Sequence, residues 1–416
     1  MSDNTTSLKN KNKIPTGVWL IGCVGFLINM STAMVFSLAA VYLKTILSVA
    51  PGWIGFLEGF VEGVAYALKV LSGIISDYLK KRKAILGVGY ALVTLSRPIL
   101  ALSSTFGGVF LSRLFDRLGN GIQATPRDAL VGDMTPSHMK GAAYGLRQAL
   151  ATAGSFVGPL LAILIMKLTY DDYHTLFWWA TVPAFLAFLV LVLFVKEPKH
   201  KDYPQDIVVE QKEKRHPLRL VDLKRLGKEF WTLMIIVGIY MLGRIGESFL
   251  MLHAHTSFNM SGADMPIIMI LYNVTCSVSS YPIGLLSDRI GRYGLLAFGC
   301  FIFVISDLIL YSSTAIWVMF FGVALWGIQM AISQAMFVAL VADTVPEDLR
   351  GTGFGIFYLI NAVSLIISST SAGLITESFG EAFAFLASSG VALTSLVLLL
   401  VIMRKSCCVK KSCNTR

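Results

Sequence analysis

Twelve runs of mainly apolar residues succeed one another along this chain, each about 20 residues long, the length a helix needs to cross a hydrocarbon core about 30 Å thick. They lie near 16–43, 52–76, 83–104, 106–131, 141–167, 174–196, 230–252, 264–287, 292–312, 315–341, 351–376 and 380–403. A hydrocarbon core offers no water to a backbone N–H or C=O, so each run must close its hydrogen bonds internally, as a helix. The fold class that follows is an all-α membrane protein with twelve transmembrane helices. Composition agrees: 55% of the 416 residues are apolar and 14% charged, where soluble domains carry about a quarter charged.

The first 15 residues, MSDNTTSLKNKNKIP, are polar and basic. No small-residue cleavage site follows a short apolar core, so the first run reads as a retained helix. The net charge of +10 would suggest nucleic acid in a soluble protein, so the placement of the bases decides its meaning. They cluster in the N-terminal tail, the 77–83 loop, the 197–229 connection, the 288–292 loop and the C-terminal tail, while the alternate loops carry little beyond Lys44 and Lys167. The positive-inside rule then puts both termini in the cytoplasm of a cell whose inner (plasma) membrane the chain spans, and leaves no reason to expect a nucleic-acid partner. Three cysteines, Cys23, Cys276 and Cys300, lie in apolar runs, and Cys407, Cys408 and Cys413 lie in the tail RKSCCVKKSCNTR. A cytoplasmic tail is kept reduced, and this one has neither histidine nor CxxC spacing, so it reads as an unstructured basic tail without disulfide or metal.

Two pairs of segments recur at nearly one offset. GIISDYLKKRK at 73–83 and GLLSDRIGR at 284–292 both end an apolar run with an aspartate four residues after a glycine, followed by bases. ALVGDMTPSHMKGAAYG at 129–145 aligns with ALVADTVPEDLRGTGFG at 339–355, matching at Asp133/Asp343, Pro136/Pro346, Gly141/Gly351 and Gly145/Gly355. Offsets of 211 and 210 residues predict an internal repeat of six helices. The expected organisation is a six-helix bundle over 16–196, a cytoplasmic linker over 197–229, a second bundle over 230–403, and tails at 1–15 and 404–416. Such a repeat relates its bundles by an axis along the membrane normal. Within the linker, LRLVDLKRLGKEF spaces its apolar residues for a helix lying along the membrane surface.

An aspartate at the end of a membrane helix can accept from the N–H groups of a neighbouring helix start, worth about 1 kcal/mol. A glycine one turn earlier lets that neighbour approach. Interactions of this size hold an interface yet let it open, which makes Gly73, Asp77, Lys81 and Arg82, with Gly284, Asp288, Arg289 and Arg292, candidates for a cytoplasmic gate.

The whole chain resembles the major facilitator superfamily, and GNGIQATPRDALVGD at 119–133 resembles a bacterial subgroup with mostly unassigned substrates. The signature GxLxDRxGR that follows the family's second and eighth helices fits Gly284, Asp288, Arg289, Gly291 and Arg292; the first copy keeps Asp77 but has Tyr78 and Lys80 in place of Arg and Gly. Arg117, Asn120 and Gly121 resemble a fourth-helix motif ending R-x-x-Q-G, which implies a role for Arg117 in proton coupling. Gly145, Gly154, Gly158 and Pro159 match the spacing of a fifth-helix motif linked to antiporters, with Ala162 and Ile163 where that motif ends in two glycines.

Ionisable residues inside a membrane span are costly and are by default either functional or paired. At about 1.5 Å per residue, Glu58 falls in the outer third of the second run and Glu62, on the same face, near the midplane, with Lys69 deeper. Arg97 and Arg113 fall in the outer thirds of the third and fourth runs, and Asp116 and Arg117 near the middle of the fourth. Arg244 and Glu247, three apart on the seventh run, are expected to be helical neighbours, and Asp307 lies on the ninth. Five acids face five bases. Lys69, Arg97 and Asp307 are expected to be structural bridges, whereas Glu62, Asp116 and Arg117 suit proton coupling: a midplane carboxylate beside an arginine can exchange a proton for a substrate group. Glu58, Arg113, Arg244, Glu247, Asn29 and Gln329 are candidates to line the substrate path. His253 and His255, two apart, point away from each other on a helix, and neither GxSxG, HExxH nor a P-loop occurs, so no cofactor, metal site or enzyme chemistry is expected.

The expected function is secondary active transport of a small organic solute, a zwitterion, weak acid or amphiphile, by a proton-coupled monomer working through alternating access. A drug-type proton antiporter, a siderophore or iron-chelate importer, and a non-transporting receptor remain alternatives at this stage.

Overall fold

The structure is a computed structural model that describes residues 14–79, 82–136, 139–196, 225–346 and 349–413. Thirteen α-helices and one 3-10 turn make up these residues, without strands among them: α1 (Thr16–Thr45), α2 (Pro51–Leu79), α3 (Arg82–Ala101), α4 (Phe106–Met134), α5 (Lys140–Leu168), α6 (Tyr173–Leu193), α7 (Lys228–Gly243), α8 (Ser248–Phe258), α9 (Pro266–Ile290), α10 (Arg292–Ser312), α11 (Ile316–Thr344), α12 (Arg350–Phe379) and α13 (Glu381–Cys413). Each predicted run overlaps a helix. Ten of the helical segments are long and apolar enough to cross a membrane, α7 and α8 counting together as 228–258. The other two long helices, α2 and α4, have 29 residues each and carry much of the buried charge that lowers their hydropathy.

Most connections among the described residues are short, and local chemistry sets them. Thr105 caps α4 by accepting from the Gly108 N–H, and Asp172 caps α6 by accepting from the His174 N–H. Single glycines join α9 to α10 and α12 to α13: Gly291 at φ 84° and Gly380 at φ 98°, a region that a side chain disfavours. That geometry explains the glycine in GLLSDRIGR. The expected unstructured tail is corrected in part, because α13 continues to Cys413. Extending an existing helix adds one hydrogen bond per residue fixed, without a new nucleus, and basic residues suit its C-terminal dipole.

The chain divides into two compact units, with α1, α2 and α5 each contributing to both. Unit 1 comprises Met1–Val35, Leu68–Ile165 and Asp172–Pro217; unit 2 comprises Phe36–Ala67, Met166–Asp171 and Leu218–Arg416. In unit 1, α3 packs against α4 and α6 around Val18, Leu86, Tyr90, Val93 and Leu130. In unit 2, α10 packs in the same way against α11 and α13, the same pattern about 210 residues on. Large apolar side chains such as Phe185, Phe301, Phe321 and Leu374 stay exposed on the helices, a surface that water would penalise and lipid solvates.

Candidate functional site

In unit 1 the charged residues converge on Asp116. Asp116 and Arg97 are both buried and joined at 2.7 Å. Arg97 also donates to Ser31 Oγ at 2.9 Å and Thr32 Oγ1 at 2.7 Å, so α1, α3 and α4 meet on one guanidinium. The other carboxylate oxygen accepts from Asn120 Nδ2 at 3.3 Å and lies 3.6 Å from Arg117 Nη1; Gln123 donates onward to Asn120 at 2.7 Å. Arg113, 1% exposed, adds a third positive charge acting on Asp116. The sequence reading set Arg117 beside Asp116; the nearer partner is Arg97. Asn29 donates to the Ala151 carbonyl at 3.3 Å, tying α1 to α5.

Unit 2 holds its charges at a break. The seventh run, expected as one helix, ends as α7 at Gly243 and restarts as α8 at Ser248. Arg244 and Glu247 are therefore not neighbours on a helix face, as the spacing suggested, but the residues that flank unwound backbone, 3.3 Å apart. The sign of each suits its place, a cation at the C-terminus of α7 and an anion at the N-terminus of α8. Two freed carbonyls find serine donors: Ser368 of α12 donates to the Arg244 carbonyl at 2.7 Å and Ser388 of α13 to the Gly243 carbonyl at 2.5 Å. Irregular backbone at membrane depth survives only with such partners. Tyr272 donates to Glu247 at 3.4 Å, and Tyr240 donates to Gln329. Tyr66 of α2 stacks on Tyr358 with centroids 5.8 Å apart, and its hydroxyl interacts with Arg244, Glu62 and Glu247. Glu62 is half-buried one turn before Tyr66, and Glu58 is buried a turn earlier.

The even balance of the five acids and five bases singled out in the apolar runs holds for the ten together and fails unit by unit. Of those ten, unit 1 contains Lys69, Arg97, Arg113 and Arg117 with Asp116, and unit 2 contains Glu58, Glu62, Glu247 and Asp307 with Arg244; unit 1 also holds Asp128 between Arg127 and Arg147. The bridge expected at Asp307 is corrected as well, since Asp307 contacts Ser388 and no basic residue among the described residues.

Arg82 of α3 pairs with Asp133 of α4, and Arg292 of α10 pairs with Asp343 of α11. These bridges occupy equivalent places, 210 residues apart, which the sequence alignment had marked only at the two aspartates. Gly73 lies against Thr125, whose Cγ2 would be 3.1 Å from an added Cβ, whereas an added Cβ at Gly284 meets nothing within 4 Å. Among the described residues, then, nothing makes the close approach expected at Gly284. The Asp77, Asp288 and Arg289 side chains, and Lys81, lie outside the described residues.

Glycines do bring helices together elsewhere. At Gly154 and Gly158 a Cβ would run into the Phe26 and Met30 carbonyls, so α5 meets α1 backbone to backbone; Pro159 follows within α5, and Gly145 faces open space. A second seam, missed in the sequence, joins α2 to α12 inside unit 2: Gly55 abuts the Ser369 carbonyl, and Gly59 the Leu365 carbonyl. His253 and His255 bond to Ser313, Ser257 and the Met260 carbonyl, and no metal-ligand cluster occurs among the described residues.

Equivalent ion pairs 210 residues apart, and a helix broken beside an arginine and a glutamate, are features found in solute carriers built from repeats. The model of the Major Facilitator Superfamily matches residues 21–255 and 233–406. The chain belongs to that superfamily. An uncharacterized MFS-type transporter of Methanocaldococcus jannaschii is 30% identical over 404 residues, covering 95% of this chain and 96% of the relative. The inner membrane transport protein YajR of Escherichia coli is 35% identical over 176 residues, 39% of this chain and 37% of that protein. Among solved structures, a variant of the nucleoside transporter NupG superposes with a TM-score of 0.77 at 13% identity, covering 92% of this chain and 99% of that one; the likeness is one of fold. The superfamily chain is a multi-pass membrane protein and a secondary transporter, not an enzyme.

Proposed function

We propose that this transporter spans the inner membrane twelve times, with both termini cytoplasmic and a six-helix bundle on each side of the 197–229 linker, and moves a small organic solute by proton-coupled alternating access as a monomer. The observation that carries the reading is the opposite sign of the intramembrane charge in the two units. A solute bearing both signs, a zwitterion before a simple anion, suits that arrangement better than a sugar phosphate would. Glu58, Arg113, Arg244, Glu247, Asn29 and Gln329 line the substrate path. Glu62, half-buried beside Tyr66, exchanges the proton, while Asp116 and Arg117 hold the charge of unit 1 in place. Gly73, Asp77, Lys81 and Arg82, with Gly284, Asp288, Arg289 and Arg292, form the cytoplasmic gate. The Gly154–Gly158 seam favours a second reading, proton antiport of an amphiphile, because it falls in the antiporter-like motif.

A thermal-shift screen of the purified transporter against amino acids, osmolytes, carboxylates, iron chelates and amphiphilic cations tests the solute class. A ligand at a hundred times its Kd stabilises the fold by about 2.7 kcal/mol, a clear rise in Tm. Stabilisation by zwitterions supports the first reading; stabilisation by amphiphilic cations alone overturns it in favour of the second.

A further inference from the structure

Asp307, on α10, is fully buried. Its Oδ2 is within hydrogen-bond distance of Ser388 Oγ on α13, while its Oδ1 meets no hydrogen-bond partner among the described residues. The same Ser388 Oγ lies 2.5 Å from the Gly243 carbonyl at the end of α7. A serine hydroxyl has one hydrogen, whereas a carbonyl and a carboxylate each need one from it. Two acceptors thus face one donor, and the arrangement closes only with one more hydrogen, carried on Asp307 Oδ2.

The repeat sharpens the argument. Arg97, in SRPIL, and Asp307, in SDLIL, are equivalent positions 210 residues apart. Arg97 is answered by the carboxylate of Asp116 on the next helix. The residue 210 places after Asp116 is Trp326 of α11, which brings no charge. The repeat has changed the sign at one position and removed its counter-ion, leaving protonation as the route to neutrality for a buried carboxyl. Of the other titratable groups on the packed elements, Tyr240 of α7 interacts with Asp307 but donates its hydrogen to Gln329, Arg244 is paired with Glu247, and His253 of α8 bonds to Ser313 and Ser257. Cys300 sits on α10 itself, Glu381 at the start of α13 acts on His253, and Asp343 of α11 is paired with Arg292.

We infer that Asp307 is a proton-binding site: a neutral carboxylic acid that donates from Oδ2 to Ser388 Oγ, so that Ser388 donates to the Gly243 carbonyl and bolts the α7 side of the helix break. When the proton leaves Oδ2 for a solvent base, the Ser388 hydrogen turns to the carboxylate, the Gly243 carbonyl loses its donor, and the unwound segment carrying Arg244 and Glu247 loosens. The inference rests on these helices lying in the membrane and not on which solute they serve.

Infrared spectroscopy of the full-length protein in lipid tests it. The difference between native protein and Asp307→Asn at neutral pH is expected to show a protonated-carboxyl C=O band present only in the native protein; a carboxylate band in its place overturns the inference. Ser388→Ala covers the case in which Asp307→Asn does not fold: it should shift the same band to higher frequency, and an unmoved band rejects the Ser388 contact. Hydrogen exchange over residues 240–252, corrected for the intrinsic pH dependence of exchange, should quicken in the native protein as pH rises and stay flat in Asp307→Asn. Equal profiles overturn the bolt. Neither readout involves transport, so failure here and failure of the transport reading are told apart.

Discussion

Residue by residue, the identity of the charged groups was readable and their partnerships were not. Composition singles out Asp116, Arg97 and Asp307 because a charge in an apolar run is conspicuous, but whether it meets a counter-ion depends on which helices touch. The spacing that set Arg117 next to Asp116 was correct along the chain and second best in space, since a guanidinium from α3 arrives closer. Removing one partner of a buried pair strands the other, at about 3–5 kcal/mol. Arg97→Gln should therefore lower the Tm of the purified protein severely, while Arg97→Gln with Asp116→Asn should recover much of the loss; a single variant as stable as native would show that the pair contributes nothing.

Among the elements, every long apolar run announced its helix, and the break in the seventh did not. The signal was there, in two glycines flanking an arginine within GRIGE, because a glycine-interrupted span is the usual mark of unwound backbone near a binding site; periodicity alone gave it no weight. Ser368→Ala leaves the Arg244 carbonyl without its donor, costing about 1–3 kcal/mol, and should quicken hydrogen exchange at 244–247 before it alters exchange elsewhere. The glycine seams are equally specific. Gly154→Val pushes a side chain into the Phe26 carbonyl and should cost about 1–3 kcal/mol as overpacking, read as a lower Tm, whereas Gly145→Ala, facing open space, should cost little. Outside the membrane spans, Asp172 caps α6, and the Thr175 hydroxyl bonded to it holds its carboxyl below the usual range. A depressed carboxyl stabilises the fold above its unfolded value and loses that contribution as pH falls through the folded one. Asp172→Ala should cost about 1 kcal/mol at neutral pH, and the difference in Tm from native should vanish in acid.

Across the whole molecule, the repeat organises what the separate motifs suggest. Its offset was legible from two short alignments, yet the bridges it generates, Arg82–Asp133 and Arg292–Asp343, needed coordinates, because no rule of spacing connects residues 51 apart. Partly exposed pairs of this kind are worth about 0–1 kcal/mol, too little to explain them as staples. The segregation of charge by unit was hidden for a different reason: residues 36–67 group with the second half of the sequence, which puts Glu58 and Glu62 in the unit of Glu247 and Asp307 although Lys69 follows them on the same helix. The central claim, that these segregated charges couple a solute to protons through Glu62, is tested most directly by lumenal pH in proteoliposomes as each solute of the panel is added outside. Native protein should move protons with one class of solute, and Glu62→Gln should abolish that movement while retaining the thermal shift on solute binding; solute entry with no proton movement in the native protein, or undiminished movement in Glu62→Gln, would contradict it.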